Sequence, residues 1–119
     1  MKRLWMPVSA LLVIAVVGAL WVSSAAAAGS SVTIGLKSFA ISKSVGSVPH
    51  GTVTFKITNH ATIAHNFRIR KGTAGAIVGK SMNLAGGKSA TVKVTLAKGS
   101  YTIFCSIHPT LMHTPFTVT

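Results

Sequence analysis

Gly51-Thr-Val-Thr-Phe-Lys-Ile-Thr-Asn59 decides the architecture of this chain. Val53, Phe55 and Ile57 alternate with Thr54, Lys56 and Thr58, and a period of two puts the apolar set on one face of a strand and the polar set on the other. The alternation recurs downstream, where Ala90, Val92, Val94 and Leu96 are interleaved with Thr91, Lys93 and Thr95. Both segments read as half-buried antiparallel strands. Outward from them, further short strands are expected at Ser31 to Phe39, around Ser44 to Val48, at Asn66 to Arg70, at Tyr101 to Cys105 and at Pro115 to Thr119. Turn residues separate them at Pro49-His50-Gly51, Asn59-His60, Gly86-Gly87 and Lys98-Gly99-Ser100. Lys71 to Ala85 reads as an irregular, glycine-bearing loop with one helical turn near Met82. About seven short strands at this spacing make an all-β, two-sheet β-sandwich.

The composition excludes whole classes of chemistry. In 119 residues there are 12 Lys plus Arg, no Asp or Glu, five His and one Cys. Without a side-chain carboxylate there is no acid pair for glycoside hydrolysis, no Ser-His-Asp triad and no oxygen cage for calcium or magnesium. A single cysteine excludes an internal disulfide, so the core itself must hold the fold. The side chains that gain protons between neutral pH and about 3 are the histidines. Acid is therefore expected to act through any histidine that binds a ligand, leaving the ligand-free fold little changed.

Residues 1–28 differ in kind from the rest. Lys2 and Arg3 precede a run that is apolar from Leu4 to Val22 apart from Pro7, Ser9 and Gly18, and Ser23, Ser24 and Ala25 to Ala28 follow it. That is the pattern of a secretory signal peptide with a small-residue cleavage site before Gly29; the alternative is an uncleaved anchor, since the run is long enough to span a bilayer. Residues 29–119 then form one domain. Ten of the cations lie in it, still without an acid.

The chemistry gathers in Tyr101-Thr-Ile-Phe-Cys105-Ser-Ile-His108-Pro-Thr-Leu-Met112-His113. A thiol, an imidazole and a thioether fall within eight residues, directly after one expected strand and before another. A second imidazole, His65 in Ile63-Ala64-His65-Asn66-Phe67, opens a further strand. Two imidazoles, a thiolate and a weak thioether suit a blue-copper centre, because sulfur favours Cu(I) and nitrogen Cu(II). Taken singly the residues have plainer roles: Cys105 a small buried hydrophobe, Met112 core filling, His50 and His60 solvated loop side chains. A Cys-His nucleophile pair would lack a carboxylate to orient its imidazole. Zinc also takes Cys with two His, but the divalent affinity order favours copper.

From Ser31 to Thr119 the chain resembles the cupredoxin family of type 1 blue-copper proteins, which includes plastocyanin, azurin and amicyanin. The resemblance lies in Gly51-Thr52-Val53-Thr54-Phe55 running into Thr58-Asn59, in His65-Asn66-Phe67, and in the Gly-Ser-Tyr-Thr-Ile-Phe-Cys approach to the ligand loop. It implies a Greek-key sandwich of about seven to eight strands that binds one copper ion, with His65 upstream and Cys105 and His108 downstream as ligands. It also implies that Asn66 and Ser106 support the ligand loops. The Cys105 to His108 spacing is of the short, amicyanin-like type, in which the axial methionine stands three residues after the histidine. Here Leu111 holds that place, so Met112 becomes the axial candidate, with no axial ligand or His113 as the alternatives.

The function so implied is an exported one-electron carrier, periplasmic or at the cell surface, monomeric and not an enzyme. His108 would be the electron port, with Pro109, Leu111, Ile63 and Ala64 as its docking surface. Tyr101 and Phe104 lie on a second, more remote route. The positive field would steer the protein to acidic redox partners or an anionic membrane surface; nucleic acid is discounted for want of any recognition motif. The rival readings are a copper carrier or chaperone that delivers the ion, and a metal-free binding sandwich.

Overall fold

A computed structural model describes residues 29–119, so the leader expected at 1–28 lies outside the described residues. Nine strands follow in order: β1 Ser30–Lys37, β2 Ala40–Lys43, β3 Ser47–Val48, β4 Gly51–Asn59, β5 Arg68–Lys71, β6 Ile77–Lys80, β7 Ser89–Leu96, β8 Gly99–Phe104 and β9 His113–Val118. They form a four-stranded sheet, β2-β1-β4-β7, and a five-stranded sheet, β3-β9-β8-β5-β6. The two-sheet sandwich expected from the alternation is the fold.

The register explains the sequence pattern. Val53 pairs with Val94 and Phe55 with Val92 across the antiparallel β4–β7 ladder, so both apolar sets point to one side and Thr and Lys to the other. On its opposite edge β4 runs parallel to β1, with Val32 beside Phe55 and Ile34 beside Ile57. The inner faces meet over three aromatic rings: Phe55 lies 4.9 Å from Phe67 and 5.7 Å from Phe116, centroid to centroid. All three are buried, and each contributes about 1.5–3 kcal/mol by leaving water. The Tyr101 hydroxyl donates to the Ala97 carbonyl at 2.6 Å, pinning the start of β8 in the manner of the corner tyrosines of sandwich folds.

Three local expectations are corrected. Lys71 to Ala85 contains strand β6, and Ser81 to Asn83 near the expected helical turn carries no helix. β6 packs beside β7 because Gly79 leaves room: a Cβ there would lie 2.5 Å from Val94 Cγ2 and 3.0 Å from Ile69 Cγ2. The strand expected at Ser44 to Val48 shrinks to Ser47–Val48, and the chain before it forms β2, hairpinned onto β1. Finally, Asn66 and Phe67 precede β5 rather than belonging to it, which leaves His65 and Asn66 on a loop.

Candidate metal centre

Two loops at one end of the sandwich carry the candidate ligands. The upstream loop, between β4 and β5, is shaped by Asn59, a fully buried side chain whose Nδ2 donates to the carbonyls of Ile63 at 2.8 Å and Leu84 at 2.9 Å. Its Oδ1 accepts from Ala61 N–H at 3.0 Å. The backbone of His65 then exchanges two hydrogen bonds with Leu84, at 3.1 and 2.7 Å, so residue 65 is held as firmly as a strand position although none of β1 to β9 includes it. The downstream loop, between β8 and β9, closes on itself. Cys105 N–H donates to Met112 O at 3.0 Å, and both Leu111 and Met112 donate to His108 O, at 3.1 and 2.9 Å.

That closure decides which residue near the loop's end turns inward. Met112 is 0% exposed and Leu111 61%; the residue one place later than the short-loop pattern is the buried one. His113 opens β9 with an exposed side chain. Sequence spacing could not distinguish these, because the answer lies in the two hydrogen bonds converging on the His108 carbonyl.

The ligand atoms of His65, Cys105 and His108 all lie within 4.8 Å of one another. His65 and Cys105 are fully buried, His65 Nδ1 lies 3.8 Å from Cys105 Sγ, and the two imidazole rings sit 5.1 Å apart. Asn66 joins the loops. Its backbone N–H points at Cys105 Sγ at 3.4 Å, its Oδ1 accepts from Ser106 N–H at 2.8 Å, and its Nδ2 donates to Ser106 Oγ at 2.7 Å and to Asn83 Oδ1 at 2.9 Å. Asn83 and Asn59 are the supporting residues that sequence reasoning missed; Asn83 answers Asn66 from another loop, and Asn59 ties its own loop to Leu84, 25 residues on. Burial holds His65 below the ordinary histidine pKa, and the nearby His108 adds to the effect, so His65 is kept as the neutral imidazole that can donate a lone pair.

The cluster also leaves polar atoms without partners. His65 Nε2 and His108 Nδ1 are buried with no hydrogen bond among the described residues. A buried, unanswered nitrogen costs about 1–3 kcal/mol. Two imidazoles beside a thiol, each with a buried nitrogen short of a partner, fit a soft or borderline metal ion.

Around His108 the surface is apolar. His108 is half-buried, with Ile63, Ile107 and Leu111 exposed nearby in the two loops at 43%, 42% and 61%, and Pro109 exposed beside it. Phe39 was not expected here. It caps the β1–β2 turn with φ at 62°, a conformation that side chains larger than Asn adopt rarely, and its ring stands edge-on to His108 at 5.3 Å. Of the remaining histidines, His50 and His60 are exposed, as expected of loop residues.

Residues 10–118 match a family model described as a cupredoxin-like domain. Similar solved structures include sodium-dithionite-reduced auracyanin from the photosynthetic bacterium Roseiflexus castenholzii, 28% identical, covering 76% of this chain and 99% of that one, with a TM-score of 0.62. Auracyanin A, a blue copper protein from Chloroflexus aurantiacus, is 22% identical over 75% of this chain and 98% of its own, with a TM-score of 0.61. An azurin, Az-iso2 from Methylomonas sp. strain J, is 16% identical over 77% and 99%, also with a TM-score of 0.61; at those last two identities the likeness is one of fold. No curated protein matches the sequence.

Proposed function

The chain belongs to the cupredoxin-like family, and from that premise we propose that it is an exported blue-copper protein, a one-electron carrier whose single copper ion would be held by His65, Cys105 and His108, with the Met112 thioether as a further, weaker donor. The observation that carries this reading is the buried convergence of one thiol and two imidazoles within 4.8 Å. Bound copper would supply a Cu(I)/Cu(II) couple, each state suited by part of the donor set.

The chain's own residues supply the rest. Asn66 and the Cys105–Met112 and His65–Leu84 backbone pairs hold the donors in one arrangement, so little has to move when the charge on the site changes. Burial of His65, Cys105 and Met112 excludes water. The Asn66 N–H aimed at Sγ orients the sulfur and would tune the site. His108 is the least buried of the four, and the surrounding Phe39, Ile63, Pro109 and Leu111 suit it as the place where electrons enter and leave. Burial of the other three donors favours retention of the ion over its delivery as a chaperone. Ten cations and no acid in residues 29–119 support encounter with acidic redox partners or an anionic membrane surface, with the protein acting as a monomer and the leader at 1–28 directing export.

The test is to add Cu(II) to the purified protein. An intense colour that survives repeated reduction and reoxidation, and is absent in Cys105→Ser, is expected. A protein that binds no copper overturns the reading, and one that loses copper on cycling favours ion delivery. Association rates with an acidic partner should fall steeply with salt.

A further inference from the structure

We infer that the outer face of the five-stranded sheet carries a binding site for a small organic monocarboxylate, separate from the cluster of His65, Cys105 and His108. Arg70 stands opposite Thr102, and Thr102 opposite Pro115, across β5, β8 and β9; Phe104 stands opposite His113 one row further along. Ile69, Ile103 and Phe116, next to Arg70, Thr102 and Pro115 along their strands, are buried in the core, so the named set faces outward. With Pro109 of the downstream loop these side chains line a cavity of about 490 Å³, within the range of small-molecule sites, about 300–1,000 Å³.

Arg70 makes the site selective. Its guanidinium carbon lies 4.3 Å from the centroid of the Phe104 ring, a cation–π contact that holds the charged group over the ring. Its Nε is buried and has no hydrogen-bond partner among the described residues. A guanidinium is suited to planar, bidentate pairing with a carboxylate, and Arg70 has no such partner here. This chain has no Asp or Glu, so an answering side-chain carboxylate cannot come from within it. Nε itself is closed off by the protein, so a planar carboxylate would take the two terminal Nη groups of the half-buried Arg70 through two parallel hydrogen bonds.

The remaining walls define the rest of the ligand. Phe104, Pro109 and Pro115 offer apolar surface to its body. The Thr102 hydroxyl already donates to Gly72 O at 2.6 Å, which leaves only acceptor capacity on that oxygen. Thr73 and His113 complete the lining; a carboxylate on Arg70 with a flat apolar body against Phe104, Pro109 and Pro115 uses the whole cavity, whereas a phosphate would leave its apolar walls unfilled.

The test is independent of copper. Benzoate titrated into the purified protein at low salt, followed by 1H–15N spectra and calorimetry, should saturate with shifts centred on Arg70, Thr102 and Phe104. Benzamide, of the same shape without the charge, should bind at least about tenfold more weakly, the loss expected of one charge-assisted pair. Arg70→Gln should weaken benzoate by a similar factor; the benzoate–benzamide comparison needs no variant and stands if that substitution impairs folding. Equal binding of benzamide, equal binding of inorganic phosphate, or shifts spread over the surface lysines would each overturn the assignment. So would an acidic peptide that displaces benzoate at lower concentration, which would make the cleft a protein-docking patch.

Discussion

Replacing Asn66 by alanine tests whether a single amide holds the two ligand-bearing loops together. The substitution removes three hydrogen bonds, those between Oδ1 and Ser106 N–H, Nδ2 and Ser106 Oγ, and Nδ2 and Asn83 Oδ1. Each is worth about 0.5–1.5 kcal/mol net. Ser106 and Asn83 are exposed and can turn to water, so the lower half of that range applies and the loss should be about 2 kcal/mol. In a domain of about ninety residues a urea m-value near 1 kcal/mol/M converts this to a midpoint lower by about 2 M. Asn83→Ala removes only one of the three bonds and should cost no more than about 1 kcal/mol. The backbone N–H of residue 66 survives in both variants, so both should still bind metal through Cys105. Urea unfolding of the metal-free proteins is the assay. If Asn66→Ala proves no less stable than Asn83→Ala, the amide is not what joins the loops.

Other expectations concern the same end of the molecule. Composition alone implies a ligand-free fold indifferent to acid, and the burial of His65 changes that. Its pKa is lowered by desolvation first and by His108 second, so below about pH 6.5 the unfolded chain binds a proton that the folded one resists. The stability associated with neutral His65 is thus fully present above that pH and is lost as pH falls towards the depressed folded value; the urea midpoint of metal-free protein should drop between pH 7 and 5, and His65→Gln should flatten the slope. Met112→Leu conserves volume and should cost less than about 1.5 kcal/mol in the metal-free protein, while shifting the reduction potential of the copper form. An unchanged potential would make Met112 packing alone. Gly79→Ala forces a Cβ against Val94 and Ile69 and should destabilise by about 1–3 kcal/mol, measured by the same unfolding, without altering metal binding.

The strands that alternate cleanly were legible because each has one face in the core: β4 and β7 read directly from Val53 to Leu96. β2 and β6 were not. Ala40–Lys43 and Ile77–Lys80 have no fully buried side chain, so no period marks them, and each exists as an edge strand only because β1 or β5 supplies its hydrogen bonds. The ligand candidates were legible as residue types at a spacing, since a thiol, imidazoles and a thioether are scarce in this chain. What spacing could not convey was the path of the backbone. Met112 rather than Leu111 is inside because of bonds to the His108 carbonyl, and Phe39 meets His108 from a turn 69 residues earlier in the chain. Asn83 likewise owes its place to a partner in another loop.

The position of β9 has a consequence for how the molecule is made. Among the described residues it follows every other strand, yet it lies inside its sheet, antiparallel to β8 and parallel to β3. Until it emerges during synthesis, β8 has an open edge, β3 has no partner, and Phe116 is missing from beneath Phe55. Contacts so distant in sequence close late. The downstream donors Cys105, His108 and Met112 lie just ahead of β9, so the growing chain has no assembled donor cluster to capture a stray ion, and the grip on metal arises in the same event that completes the sandwich.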